Sequence, residues 1–159
     1  MRFHTKIILH PTDFSDNAAK ALRLATDLLV IPKTRLLIYH VCELPFFSKP
    51  PTAEELTTWQ SECIQLAASK MQSYLQSCFG DQEPIPLPER EIMVNSSAYK
   101  SVLDIAARME PYMIVIGQKG TSTVKGLHMG SNSRHILEKA KCPVLVFLQQ
   151  WKKNDHKYL

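Results

Sequence analysis

The sequence is poor in cysteine and lacks long apolar runs. Its four cysteines, at positions 42, 63, 78 and 142, form no CxxC pair and no short spacing, so neither a disulfide framework nor a zinc site is expected. No apolar run approaches the ~20 residues of a membrane span. The run near the N-terminus is three residues long, too short for the core of a signal peptide. These absences predict a cytoplasmic protein that does not associate with membranes.

Excess charge is also scarce. Nineteen Lys and Arg against 15 Asp and Glu give a formal charge of +4. The last nine residues, with three Lys and one Asp, contribute +2 of it, so the rest is close to neutral and no nucleic-acid-binding surface is expected. The length of 159 residues and the 45% hydrophobic content are typical of one globular domain. We predict a domain over 1–149 and a basic polar tail over 150–159.

Short apolar runs alternate along the chain with segments of helical periodicity. Ser15 can cap the first helix, and Thr52 with Glu55 forms a capping box for the second. Continuous apolar strands separated by helices are typical of a parallel sheet covered on both faces. We therefore predict an α/β, doubly wound, Rossmann-like domain with a five-stranded parallel sheet. The predicted strands are 6–10, 35–42, 90–94, 112–116 and 143–148, and the last two predicted helices are 98–109 and 131–141.

Glycine is scarce and concentrated in one loop. The chain has five glycines, and four of them fall within fourteen residues, at 117, 120, 126 and 130. Such a loop needs unusual backbone angles or a close approach to another group. It leaves the carboxyl end of the fourth predicted strand, where ligands bind in open α/β sheets, and enters a helix. A helix N-terminus attracts phosphate, and Ser131 and Ser133 offer hydroxyl donors. An ordinary loop with normal helix caps is the alternative.

The glycine spacing separates this loop from the common nucleotide fingerprints. Neither the Walker A pattern nor the dinucleotide G-x-G-x-x-G pattern occurs. The spacing is instead G-2x-G-9x-G-S, followed by a CPVLV ending and preceded by a PTDFS opening. Together these segments resemble the ATP-binding subgroup of the universal stress protein (UspA-type) family, over residues 6 to about 148. The resemblance also implies the strand order 3-2-1-4-5.

The resemblance implies that ATP or another adenine nucleotide is bound, with Mg²⁺ or Mn²⁺ bridging the phosphates. Asp13 is expected to contact the adenosine part, although an Asp in a turn before a helix is also a common local backbone acceptor. The backbone of Val41 is expected to pair with the adenine edge. The implied cofactor-binding residues are Pro11, Thr12, Asp13, Val41, Ile116, Gly117, Gly120, Gly130, Ser131, Asn132 and Ser133.

The function that follows is an ATP-binding module in a stress response or in regulation. The alternatives are a slow ATP hydrolase or adenylyl-transfer enzyme of the same fold, and a nucleotide-free interaction dimer. We expect little turnover, because Asn132 stands where a Walker-type site would place a lysine, and His128 is the one plausible base near the loop. A homodimer is expected through the apolar edge strand 143–148.

Two segments depart from the family pattern. Tyr112 replaces an Asp that usually precedes the fourth strand, and residues 95–97 replace a turn that often contains Gly. Because of these departures, the local loop geometry and the fit of the ribose are not implied by the resemblance. Of the cations beside the glycine loop, Arg134 is favoured over Lys119 and Lys125 for neutralising phosphate. His10 and His40, in or beside strands, are expected to be core or rim residues.

Overall fold

The computed structural model describes residues 5–119 and 129–148. Strands and helices alternate through both ranges, and the predicted bounds are met to within two or three residues. The elements are β1 (Lys6–Pro11), α1 (Asp16–Asp27), a 3₁₀ turn (Leu28–Val30), β2 (Thr34–Glu43), α2 (Ala53–Phe79), β3 (Glu89–Asn95), α3 (Ala98–Met109), β4 (Met113–Gly117), α4 (Ser131–Lys139) and β5 (Val144–Phe147). No helix among the residues described is long and apolar enough to cross a membrane.

The five strands form one parallel sheet in the order β3-β2-β1-β4-β5. This arrangement confirms the predicted fold class and strand order. Some strands are longer than the apolar runs that predicted them, because backbone pairing continues into polar residues. In β3, for example, Glu89 pairs with Leu37 and Asn95 pairs with Glu43.

Helices cover the sheet on both faces, because successive side chains of each strand point to opposite sides. Ile8, Ile38 and Val115 pack under α1 and α2, whereas Leu9 and Ile114 pack under α3 and α4. All five are at most 1% exposed. The central strands therefore present apolar side chains to both faces, as the continuous runs in the sequence require.

The long helix α2 is less buried than its apolar stripe predicts. The helical spacing of the apolar residues from Trp59 to Tyr74 predicts that this stripe packs on the sheet. The structure buries Ala67, Met71, Tyr74 and Leu75, and Leu66 is 57% exposed, so the prediction was wrong for Leu66. The buried residues are in the second half of α2, and its first half extends past the core.

Both predicted helix caps are present, and one of them fixes the turn after β1. The hydroxyl of Ser15 accepts a hydrogen bond from the backbone of Ala18 at 3.2 Å. In α2, Thr52 and Glu55 exchange hydrogen bonds of 2.7 and 3.2 Å. Because Ser15 starts α1 four residues after the end of β1, the connecting turn stays at the carboxyl edge of the sheet.

The strands β1 and β4 stop pairing before their carboxyl ends. The ladder contains Ile8 with Met113 and Leu9 with Ile114, and Pro11 has no N–H with which to extend it. The ring of His10 takes over, since its Nδ1 donates to the carbonyl of Val115 at 2.9 Å. The sheet therefore opens between β1 and β4, the point at which its strand order reverses.

Gly117, the last residue of β4, is fixed by packing. A Cβ at this position would lie 2.9 Å from the backbone C and O atoms of Asn17 in α1. The close approach expected of the first loop glycine is therefore made to a helix of the same chain. This contact lets α1 lie directly against the end of β4.

We expect Gly117→Ala to lower the free energy of unfolding by about 1–3 kcal/mol, the usual cost of overpacking. The backbone of Asn17 cannot rotate away as a side chain would, so α1 must shift from β4. Urea unfolding followed by circular dichroism measures the change. A free energy of unfolding equal to that of the parent would contradict the contact.

We also expect stability to fall as the pH is lowered from about 6.5 to about 4. Complete burial lowers the pKa of His10 from 6.5 to about 4, so between these values the unfolded chain binds a proton that the folded chain does not. The contribution is complete above pH 6.5, and its loss amounts to on the order of 2–3 kcal/mol. Unfolding by urea at pH 7 and pH 5 measures it. Histidine NMR that shows protonation of His10 near pH 6.5 in the folded state would contradict it.

Candidate functional site

A cleft of about 480 Å³ lies at the carboxyl edge of the sheet, on the side of α3 and α4. Its volume is in the range of small-molecule sites, roughly 300–1,000 Å³. A second cavity, of about 430 Å³ between α2 and β3, contains none of the predicted site residues. Gly120 lies outside the described residues. The other ten predicted residues all line the first cleft: Pro11, Thr12, Asp13, Val41, Ile116, Gly117, Gly130, Ser131, Asn132 and Ser133.

The turn after β1 forms one part of this cleft. The N–H of Thr12 donates to the carbonyl of Tyr39 at 2.9 Å, which ties the turn to β2. The Oγ1 of Thr12 accepts from the N–H of Phe14, and Oδ1 of Asp13 accepts from the N–H of Ser15 at 3.1 Å. Asp13 is therefore a local backbone acceptor, as the alternative interpretation held, and it also lines the cleft.

Aromatic side chains hold this turn from behind. Phe14, with a φ of 64°, stacks on His40 with ring centroids 4.2 Å apart, and its edge meets Tyr74 of α2 at 5.5 Å. His40 Nδ1 donates to the carbonyl of Thr12 at 2.8 Å, and burial lowers the pKa of His40. The turn is thereby clamped between β2 and α2.

A hydrogen bond joins α2 to the core beneath the cleft. Burial raises the pKa of the Tyr74 hydroxyl in α2. Tyr74 lies 3.3 Å from Nε2 of His10. Nδ1 of His10 must carry a proton because the Val115 carbonyl can only accept, so Nε2 accepts from Tyr74. His10 and His40 therefore have structural roles in the core and at its rim, as predicted.

The N-terminus of α4 forms the opposite part of the cleft. Gly130 is its N-cap, with a φ of −61°, so the expectation of an unusual backbone angle is wrong at this residue. The first N–H groups of a helix have no partner within the helix. In α4 the first bond within the helix runs from the N–H of Arg134 to the carbonyl of Gly130. The Oγ of Ser133 donates to the carbonyl of Gly117 at 2.9 Å. Ser133 therefore supports the loop through its hydroxyl and does not offer that proton to a ligand in this arrangement.

The charged residues differ from expectation. Lys119 lines the cleft. Arg134, the cation that the sequence favoured, is outside the lining, and its Nε is 4.0 Å from Glu138. Lys125 and His128 lie outside the described residues. Sequence reasoning missed Glu43, which lines the cleft and accepts a 2.7 Å hydrogen bond from the N–H of Ala98. Its place at the end of β2, beside the predicted Val41, was the signal that could have identified it.

The two departures from the family pattern have separate structural consequences. Tyr112 precedes β4 at the amino edge of the sheet, opposite the cleft, where Lys6 lies 4.7 Å from its ring centroid. Tyr112 therefore does not line the cleft. At the end of β3, Oδ1 of Asn95 accepts from the N–H of Ser97 at 3.2 Å. This side-chain contact forms the turn without glycine.

Known proteins resemble this chain over nearly its whole length. It is 28% identical to a universal stress protein from Thermus aquaticus over 142 residues, which are 89% of this chain and 97% of that protein. An uncharacterized protein from Schizosaccharomyces pombe is 23% identical over 145 residues, 91% of this chain, and the chain spans 24% of its length.

Solved structures share the fold. UspA from Lactobacillus plantarum matches with a TM-score of 0.75 at 22% identity, over 92% of this chain and 99% of that one. An Archaeoglobus fulgidus universal stress protein in complex with dAMP has a TM-score of 0.53 at 21% identity, over 90% and 97% of the two chains. A universal stress protein in complex with cAMP has a TM-score of 0.56 at 18% identity, over 91% and 98%.

The sequence pattern of this fold family extends through every described element. The model of the universal stress protein family matches residues 4–147, from the start of β1 to the end of β5. The chain belongs to the universal stress protein family.

Proposed function

We propose that this protein binds an adenine nucleotide, ATP, in the cleft at the carboxyl edge of the sheet and acts as a regulatory or stress-response module. The observation that carries the proposal is that ten residues implied by the ATP-binding motif line one cleft. Relatives with this fold have been solved with dAMP and with cAMP. These ligands support an adenine nucleotide as the class of ligand.

The three helix N-termini beside the cleft suggest where the phosphates bind. The first turn of α1 is capped by the hydroxyl of Ser15, and that of α3 by the carboxylate of Glu43. The N-cap of α4 is Gly130, which has no side chain to occupy the helix end. An anion is favoured at such an N-terminus, and Lys119 adds positive charge. We therefore place the phosphates at α4, and the adenosine towards Asp13 and the backbone of Val41.

A bridging Mg²⁺ or Mn²⁺ fits this arrangement. Mg²⁺ usually keeps several waters and binds substrate phosphates with few protein ligands. Within 5–119 and 129–148, no group of three or more His, Cys, Asp or Glu is arranged to hold a metal. A metal would therefore enter with the nucleotide and be held by its phosphates.

Slow turnover of bound ATP stays a prediction. Rapid phosphoryl transfer requires groups that stabilise the transferred charge and position the nucleophile. Asn132 follows the Gly-Ser pair in place of a lysine, and Asp13 is placed on the adenosine side. The proposal is therefore binding rather than catalysis.

We expect Gly130→Val to reduce ATP affinity tenfold or more while the protein stays folded. Valine tolerates the φ of −61° and ψ of 150° found at Gly130, so the branched side chain would act by filling the space of the phosphates. Isothermal titration calorimetry with ATP and Mg²⁺ measures the affinity. Gly130→Ala is the matched control and should have a smaller effect. An affinity for Gly130→Val equal to that of the parent would show that phosphate does not bind at α4.

We also propose a homodimer through β5. Val144–Phe147 forms one edge of the sheet, and an apolar strand edge offers unpaired backbone groups to a second copy. Leu145 is 37% exposed on this strand, and Leu148, just beyond it, is 61% exposed. A two-fold dimer is the commonest closed assembly of identical chains.

We expect Leu145→Lys to shift the protein from dimer to monomer, because a charged edge residue opposes strand pairing. Sedimentation velocity at micromolar concentration distinguishes a dimer from the 18.1 kDa monomer. Leu66→Lys, on the exposed part of α2, is the control and should leave the assembly unchanged. A parent protein that sediments as a monomer would refute the dimer.

A further inference from the structure

Glu43 brings a carboxylate to the cleft at the end of β2. Tyr39, Val41 and Glu43 alternate along the strand, so their side chains share the face covered by α3, and all three line the cleft. Tyr39 is buried and bonds to Ser101 of α3 at 2.8 Å, whereas Glu43 is exposed. This face of β2 is therefore buried at Tyr39 and carries an exposed carboxylate at Glu43, four residues later.

Capping of α3 uses one of the two oxygens of Glu43. Oε1 accepts the N–H of Ala98 at 2.7 Å, which fixes the direction of the carboxylate. Oε2 has no hydrogen-bond partner among the residues that the structure describes. A carboxylate accepts hydrogen bonds and donates none. The second oxygen therefore suits a hydroxyl group and repels a phosphate.

The position of Glu43 gives the cleft two electrically different sides. Lys119 and the N-terminus of α4 follow β4, and Glu43 ends β2, with β1 between these strands. Two inter-strand spacings are about 10 Å, comparable to the length of a nucleoside. An anionic group is favoured on the β4 side, and uncharged donors are favoured on the β2 side.

We propose that Glu43 is a specificity determinant that accepts a hydrogen bond from a ribose hydroxyl and excludes nucleotides carrying a phosphate on the ribose. The inference rests on the proposed nucleotide function and names its ligand class more narrowly. An acidic residue that accepts from a ribose hydroxyl also distinguishes NAD from NADP in dinucleotide-binding folds. Here the carboxylate is already oriented by Ala98 before a ligand arrives.

Calorimetry with nucleotides that differ in the ribose tests the proposal. The parent should bind ATP about tenfold or more tightly than at least one of 2′-deoxy-ATP and 3′-deoxy-ATP, the cost of losing a hydrogen bond to a charged group. It should also bind AMP more tightly than adenosine 2′,5′- and 3′,5′-bisphosphate. In Glu43→Ala the preference for the hydroxyl should fall to about threefold or less. Glu43→Gln, which keeps an oxygen for Ala98 but lacks the charge, should bind the bisphosphates about tenfold better relative to AMP.

A matched control separates this role from capping. Thr52→Ala removes the cap of α2, and Thr52 does not line the cleft. It should lower the melting temperature, as Glu43→Ala also should, and leave both preferences unchanged. Tight ATP binding with the same ribose preferences in the parent and in the Glu43 variants would overturn this inference and leave the proposed nucleotide binding in place. Failure of the folded parent to bind any adenine nucleotide would overturn the proposed function and this inference with it.

Discussion

The separation of β1 from β4 at their carboxyl ends is the constraint from which the geometry of the cleft follows. A parallel ladder that continued to the ends of both strands would close the sheet at this point. Pro11, at the end of β1, has no N–H to donate to β4. The ring of His10 instead donates a hydrogen bond of 2.9 Å to the carbonyl of Val115. This side-chain bond lets the strands diverge without leaving a buried acceptor unpaired, which would cost about 1–3 kcal/mol.

His10 also connects the opening of the sheet to the turn that lines it. Tyr74 contacts the ring from α2, and its own ring meets Phe14 of the turn at 5.5 Å. Phe14 and His40 pack on the same turn from behind. The turn that lines the cleft is thus held by side chains whose positions depend on both β2 and α2.

The sequence was informative where one physical requirement dominates each residue. Strands buried on both faces must be apolar throughout, and this pattern predicted all five strands of the sheet. Capping depends on local spacing, so Ser15 and the pair Thr52 and Glu55 could be assigned without tertiary information. The ten residues at the cleft were identified through the resemblance to the family, and they lie together because parallel strands bring their carboxyl ends to one edge.

Predictions were less successful where a side chain has several available partners. Nothing in the sequence shows that the hydroxyl of Ser133 bonds to Gly117, because this contact depends on how α4 meets β4. The pairing of Arg134 with Glu138 was overlooked, although residues four apart on a helix are neighbours. Leu66 follows the helical period of α2, but the helix extends past the sheet that would have covered it. Glu43 was overlooked because an acidic residue after a strand is ordinary until Ala98 is placed beside it.

The contact between Gly117 and α1 changes what the glycine pattern can diagnose. The backbone of Asn17 leaves no space for a Cβ at Gly117, whether or not a ligand is present. A protein of this fold with the same helix contact would need glycine there even if it had lost its nucleotide. Gly130 has an ordinary φ of −61°, so its backbone conformation does not require glycine. Glycine at the position of Gly130 is therefore the more informative marker of ligand binding, and glycine at the position of Gly117 is a marker of helix packing.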